Sequence, residues 1–363
     1  MTEFAGLRVV LVGPLAPPAG GMANQTRQLA ELLRAAQADV VMARTNAPYL
    51  PGWIGRWPGV RALFRLVPYL WTLWCAARRA DVFHVMANSG WAWHLFSAPA
   101  IWIASLRGVP VVVNYRGGEA ARFLARSERL VRWSMRRASV LAVPSRFLEE
   151  IFARHGMKSV VVPNIVDLAR FHPRDASART DAHMLVARNL EPIYDNQTAL
   201  RAFAQVHGSF PQARLTIAGT GPEAARLRAL AVELGVQNAV RFAGQLDRDA
   251  MAALYRDADL SINPSLADNM PNSLLESMAC GVPIVSTNVG GVPFIVEDGQ
   301  SALLVAPGDA QAMADAVLKL LVDRSLWSRL AAAGVSEAQR YTWVQVAPLL
   351  ANVYRSAIRP AAR

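Results

Sequence analysis

Short apolar runs rich in β-branched residues alternate along the chain with longer stretches whose apolar residues recur at three- and four-residue spacing. Residues 9–12, Val-Val-Leu-Val, read as a buried strand, and 22–36 as an amphipathic helix. Residues 82–85, 109–114, 140–143 and 160–162 follow as strands, with an apolar helix over 92–106. The pattern then restarts. Strands are predicted over 183–187, 215–218, 240–243, 260–263 and 283–286, and helices over 198–207, 224–234, 251–256, 273–280 and 310–321. Near-continuous β-branched runs separated by helices predict a parallel sheet covered on both faces. Two such series predict two doubly wound α/β units, joined through residues 163–173 and the polar stretch 174–181. Neither a short-period repeat nor a low-complexity tract is present.

Length and composition agree. The 363 residues suit two domains, and a hydrophobic fraction of 53% excludes a disordered chain. Cys75 and Cys280 stand far apart, so neither a disulfide framework nor a zinc cluster is expected and a reducing cytosol is the natural compartment. The run at 9–12 is too short for a signal peptide. The most apolar stretch, 92–106, holds His94 and Pro99 and is too short to span a bilayer, so no transmembrane segment is expected.

The net charge of +11 is uneven: residues 1–172 carry 21 Arg/Lys against 9 Asp/Glu, and residues 173–363 carry 17 against 18. The first half therefore faces something anionic. A nucleic-acid coat is disfavoured, because no helix-turn-helix, zinc-finger or RNA-recognition pattern is present. Arg56, Arg61, Arg65, Arg78 and Arg79 interleave with Trp53, Trp57, Phe64, Tyr69, Trp71 and Trp74, while Arg122, Arg126 and Arg129 share one helical face. One reading is a surface that docks on an anionic membrane; the other is solvated helices with tryptophans in the core.

In open α/β sheets ligands bind beyond the carboxyl ends of the strands. Three such exits carry candidate chemistry. Gly20-Gly21, after the first strand and before a helix, is either a phosphate loop or a plain turn. Gly219-Thr-Gly221-Pro-Glu-Ala224 resembles a dinucleotide fingerprint, but the next strand, Val240-Arg-Phe-Ala-Gly, offers no acid for a ribose, which disfavours NAD. The densest exit runs Asn263-Pro-Ser-Leu-Ala-Asp268-Asn269-Met270-Pro271-Asn272-Ser273-Leu-Leu-Glu276. Two carboxylates there flank one predicted helix start, where N–H groups can hold a diphosphate and carboxylates can accept from sugar hydroxyls. Glu276 also fits a capping role. His84 and His94 read as core residues, Gly290-Gly291 as a turn or part of the donor site, and Glu297-Asp298 as loop without metal geometry.

The block from Asn263 to Val285, with Pro163-Asn-Ile-Val-Asp-Leu-Ala-Arg-Phe171, Ala218-Gly-Thr-Gly-Pro222 and the Gly20-Gly21 loop, resembles the retaining glycosyltransferase family 4, of the bacterial cell-surface polysaccharide type, along nearly the whole chain. The resemblance implies a GT-B fold: an acceptor-binding domain over 1–172, a nucleotide-sugar domain over 173–340 facing it across a cleft, and a segment 341–363 returning to the first domain as a helix. It implies a hexosyltransferase that keeps the anomeric configuration and needs neither cofactor nor metal, the departing phosphate taking the acceptor proton. Glu276 would hold the ribose, Asp268 would lie by the donor sugar, and Gly20, Gly21, Gly219, Gly221 and residues 269–273 would line the donor. Three departures matter. Arg188 matches the first cation of a diphosphate clamp, but the lysine position falls at Ile193 or Tyr194, beside Asp195. Arg116 stands where a histidine is usual, either reaching a diphosphate or phosphorylated acceptor or pairing with Glu119. The first carboxylate is Asp, shorter by a methylene, and Asn269-Met270-Pro271 replaces a glycine-aromatic turn. The expected function is transfer of a sugar to a glycan, lipid-linked and bound for the cell surface as in lipopolysaccharide, by a cytoplasmic enzyme peripheral to the membrane. A sugar-nucleotide epimerase of the same shape and a non-catalytic sugar-nucleotide-binding protein are the alternatives.

Overall fold

The computed structural model describes residues 3–16, 20–48, 58–174 and 182–358, with side chains from residue 64 in the helix that begins at Pro58. Pro17, Pro18, Trp53, Arg56, Trp57 and most of the polar linker stretch lie outside the described residues, as does the side chain of Arg61. The chain divides into two compact units: Met1–Asn164 with Val346–Arg363, and Ile165–Gln345. The division falls within the expected linker, at Asn164/Ile165 rather than after residue 172.

The first unit contains β1 (Arg8–Gly13), α1 (Gly21–Ala35), β2 (Asp39–Arg44), α2 (Pro58–Ala76), β3 (Val82–Ala87), α3 (Ala98–Leu106), β4 (Val111–Tyr115), α4 (Ala120–Met135), β5 (Val140–Val143), α5 (Arg146–Arg154) and β6 (Val160–Val161). The strands form one sheet in the order β2-β1-β3-β4-β5-β6, and every pairing is parallel. Every residue of β3 and β4 is buried, which is why these strands read as apolar runs interrupted only by His84 and Asn114. The expected helix over 92–106 is a π-helical turn, Trp93–Ser97, running into α3. Pro99 cannot donate to the carbonyl four residues back and crowds it, and the widened turn lies directly before it.

The second unit contains β7 (His183–Ala187), α6 (Asn196–Ser209), β8 (Arg214–Ala218), α7 (Ala224–Glu233), β9 (Val240–Gly244), α8 (Arg248–Asp257), β10 (Leu260–Asn263), α9 (Asn272–Ala279), β11 (Ile284–Thr287), β12 (Leu303–Val305), α10 (Ala310–Val322) and α11 (Arg324–Ala338). Its parallel sheet runs β12-β11-β10-β7-β8-β9. The strand order reverses direction between β7 and β10, so the loops after these two strands diverge and leave a crevice at their carboxyl ends. Asp247, Asp309 and Asp323 cap α8, α10 and α11, each accepting from a backbone N–H three residues on. A last helix, α12 (Trp343–Ile358), starts in the second unit and continues, from Val346, as part of the first.

Tryptophan placement corrects one reading of the basic segment. In α2, Tyr69 and Leu73 are buried, but Phe64, Val67, Trp71 and Trp74 are exposed on the opposite face. Arg107 lies over the Trp74 ring at 4.8 Å, and Trp102 packs 3.9 Å from Trp133 with Arg137 above it. These indoles are not core residues.

Candidate functional site

In the second unit, the exits of β7 and β10 bring Arg188 and Asp268 together. Arg188 follows β7 directly. Its Nε donates to Asn263 Oδ1 at 2.9 Å, and its guanidinium forms an ion pair with the Asp268 carboxylate. Asn263, the last residue of β10, also accepts from Ser265 Oγ at 2.8 Å and donates to Ser286 Oγ at 2.9 Å. The arginine is thus held by strand ends rather than by mobile loop. Both charges are nearly covered, with side chains 10% and 13% exposed, and burial lowers the Arg188 pKa. The vacated lysine position explains itself here: Tyr194 lies with its ring 4.9 Å from the Arg188 guanidinium carbon, a cation–π support. Asp195 is buried and accepts from Thr198 Oγ1 at 2.6 Å, so it serves the start of α6.

Glu276 sits in the second turn of α9. Burial pushes its carboxyl up to about 7, against the opposing pull of Arg248, Tyr255 and Arg188. Tyr255, fully buried, donates its hydroxyl to the Ser273 carbonyl at 3.2 Å, and its hydroxyl and the Glu276 carboxyl influence each other's protonation. The single tyrosine proton is committed to Ser273, so a neutral Glu276 suits the tyrosine oxygen better than an ionised one. Ser273 Oγ, in the first turn of α9, is buried and has no hydrogen-bond partner among the described residues. Arg248 and Tyr255, both from α8, were missed in the sequence. No motif marks them; only the packing of α8 on α9 brings them to Glu276.

The other expected donor residues distribute differently. Asn269 donates its N–H to Asp268 Oδ1 at 2.9 Å. Met270 is 7% exposed and packs in the apolar core with Leu274 and Met278, so only its backbone faces the loop. Pro271 precedes α9 in an extended conformation, and Asn272 begins the helix. Gly219 and Gly221 pack face-on against the loop that carries Arg188: a Cβ would lie 2.0 Å from the Arg188 carbonyl oxygen and 2.4 Å from that of Leu190, respectively. The Gly219 N–H is spent on the Gly244 carbonyl at 2.8 Å. This gives the fingerprint-like glycines a packing role. Gly291 has the same office beside Asp268, for a Cβ there would lie 1.7 Å from the Asn269 carbonyl oxygen.

In the first unit, Gly20 and Gly21 open α1, and a Cβ on either would meet nothing within 4 Å. Arg116 follows β4. It donates to Asn114 Oδ1 at 3.1 Å and to the side chains of Gln25 and Asn164, while Glu119 pairs with Arg122 at 3.2 Å instead. Burial lowers the Arg116 pKa to about 10. Behind it runs a buried polar chain. Asn114 Nδ2 lies 3.1 Å from His84 Nε2, and His84 Nδ1 lies 2.9 Å from the Tyr354 hydroxyl on α12. The amide must donate, so His84 accepts at Nε2 and carries its proton on Nδ1. Burial holds this imidazole neutral, with its pKa down at about 3. His94, by contrast, is only half-buried.

Residues 20–165 match the family described as glycosyl transferase 4-like domain, and residues 183–323 that described as glycosyl transferases group 1. A glycogen synthase of Mycobacterium tuberculosis is 31% identical over 295 residues, covering 77% of this chain and 70% of that protein. The chain belongs to the group 1 glycosyltransferases. A D-inositol 3-phosphate glycosyltransferase of Acidothermus cellulolyticus is 35% identical over 233 residues, 59% of this chain and 51% of that protein. The chain spans about half the length of several curated relatives it matches. Among solved structures, sucrose-phosphate synthase from Thermosynechococcus elongatus aligns over 96% of this chain and 98% of its own, with a TM-score of 0.77 at 22% identity. HepE from Anabaena, in complex with UDP-glucose, aligns over 96% and 99% with a TM-score of 0.73 at 18% identity. The fold of the chain is GT-B, built from the two parallel six-stranded sheets. Among the described residues, no helix is long and apolar enough to cross a membrane, and no three His, Cys, Asp or Glu side chains gather as a metal-ligand set.

Proposed function

We propose that this protein is a retaining hexosyltransferase that takes its sugar from a nucleotide diphosphate donor and needs no metal. The carrying observation is the buried Arg188–Asp268 pair, with Glu276 on the adjacent helix, at the switch point of the second sheet. A departing nucleoside diphosphate gains negative charge. Arg188 and the first-turn N–H groups of α9 would stabilise that charge without reorganising. The ligand's phosphate would compete with Asp268 for Arg188, freeing the carboxylate for the sugar hydroxyls. Glu276 would accept from the ribose hydroxyls, and Ser273 Oγ offers an unspent hydroxyl at the same helix start. Within the first unit, Gly20 and Gly21, with open space beside them, and the cation of Arg116 are the groups that would meet phosphate. The support from relatives is that HepE is described with UDP-glucose bound and that the curated relatives are named as glycosyl transferring or glycan-building enzymes. The acceptor we infer is a glycan carried on a lipid at the inner membrane surface, because the first half holds the excess positive charge and α2 exposes Phe64, Val67, Trp71 and Trp74.

The test is a thermal-shift series with UDP-, GDP- and ADP-sugars, with and without EDTA. A ligand bound at one hundred times its Kd stabilises the native state by about 2.7 kcal/mol. One donor class is expected to raise Tm equally in both buffers, and Glu276→Ala to abolish the shift. A shift that requires Mn²⁺ overturns the metal-free reading; no shift with any donor overturns the function.

A further inference from the structure

The first unit holds a cavity of about 670 Å³ apart from the residues assigned above. It opens where β3 and β4 end, the position at which open α/β sheets bind ligands. Ser89 Oγ lies 2.7 Å from the Tyr115 hydroxyl and ties the two strand exits together at one margin. One wall is aromatic: Trp91 lies 6.3 Å from the His94 ring, and His94 lies 5.8 Å from Phe123. The other wall is α4, which contributes Arg122 and Arg126 one turn apart and Leu130 one turn further. Trp91 is 78% exposed and Leu130 57% exposed, so the apolar trough runs out to the surface. The π-helical turn Trp93–Ser97 carries His94 into this wall.

The two chemistries of the lining point to one kind of occupant. Glu119 meets Arg122 at 3.2 Å, but both are more than half exposed and the pair is weak. Arg126 forms no ion pair among the described residues. An inorganic anion would leave the aromatic trough wet, and an uncharged sugar or a bare hydrocarbon would leave the arginines without a counter-charge. A phosphate joined to a hydrocarbon chain satisfies both. We propose that this cavity binds the acceptor's lipid carrier, with its phosphate at Arg122 and Arg126 and its first hydrocarbon units along Trp91, Phe123 and Leu130. The proposal rests on the reading of the acceptor as lipid-linked and assigns the residues that select it.

Titration calorimetry with farnesyl phosphate, farnesol and inorganic phosphate tests this on the full chain. Farnesyl phosphate is expected to bind, with each separate half at least about tenfold weaker. The double substitution Arg122→Ala/Arg126→Ala is expected to weaken farnesyl phosphate at least about tenfold, and Leu130→Ser to weaken it with inorganic phosphate unaffected. All three positions are exposed, so an unchanged Tm confirms that the variants fold. Inorganic phosphate binding as tightly as farnesyl phosphate, equal affinity in the double variant, or no binding overturns the site. The nucleotide-sugar thermal shift is measured in the same samples. Donor binding without farnesyl phosphate binding sinks this site and spares the transferase; farnesyl phosphate binding without any donor shift does the reverse.

Discussion

Glu276 concentrates the physics of the proposed donor site in one carboxyl. Its pKa is raised to about 7 by burial, so the folded state holds its proton more tightly than the unfolded chain does. Where the native state binds more protons, stability falls as pH rises, here from the ordinary carboxylate range up to about pH 7, and is flat above. Glu276→Gln removes that slope. Its Tm is expected to exceed that of the parent at pH 8, by roughly 1–3 kcal/mol of stability, and to match it near pH 4. A parallel pair of melting curves across that range overturns the assignment. Arg188→Ala leaves Asp268 charged and uncompensated, a loss on the order of 3–5 kcal/mol in unfolding experiments. Arg188→Lys keeps the charge but cannot serve Asn263 and Asp268 together, so kcat is expected to fall at least about tenfold while the fold survives. Normal turnover in the lysine variant removes the diphosphate role. Asp268 and Glu276 were legible in the sequence because they stand in one ordered block behind a strand, and Arg188 because it follows directly on another. Tyr255 and Arg248 were not, since their partner lies on a different helix and nothing local in α8 signals it.

At the scale of elements, glycine separates two kinds of loop that look alike in the sequence. Gly291 presses on the backbone that carries Asp268, whereas Gly21 borders open space. Gly291→Ala is expected to lower Tm by several degrees and weaken donor binding together, because the clash displaces the Asp268–Asn269 segment. Gly21→Ala is expected to leave Tm unchanged and still reduce kcat/KM, if the loop meets a phosphate. Unchanged kinetics for Gly21→Ala would return that loop to a plain turn. The strands flanking the site were readable from buried β-branched runs; His183–Ala187 and Leu260–Asn263 fall on their expected bounds. Elements of weaker pattern went unread: β2, with its exposed alternate residues, α5, the three-residue β12, and α11. The π-helical turn before Pro99 was also hidden, because its apolar composition is that of an ordinary buried helix.

For the molecule as a whole, charge and exposed indoles on the first unit predict how it meets a surface. Binding to vesicles rich in anionic lipid should weaken steadily with salt, since the screening length shrinks from about 10 Å at 0.1 M to about 3 Å at 1 M. Trp71→Glu is expected to abolish sedimentation with those vesicles and leave the nucleotide-sugar thermal shift intact. Salt-insensitive binding, or none, removes the membrane from the picture. The halves of the chain were legible as two α/β units from their own residues, whereas the return of the last helix to the first unit followed from the family resemblance and from nothing local in α12. That completion has a consequence for birth on the ribosome. The second unit is a continuous stretch that emerges whole, but the first must wait, with the His84 imidazole lacking its tyrosine, until Tyr354 has been translated behind the whole of the second unit. The unit whose synthesis starts first is therefore the one completed last.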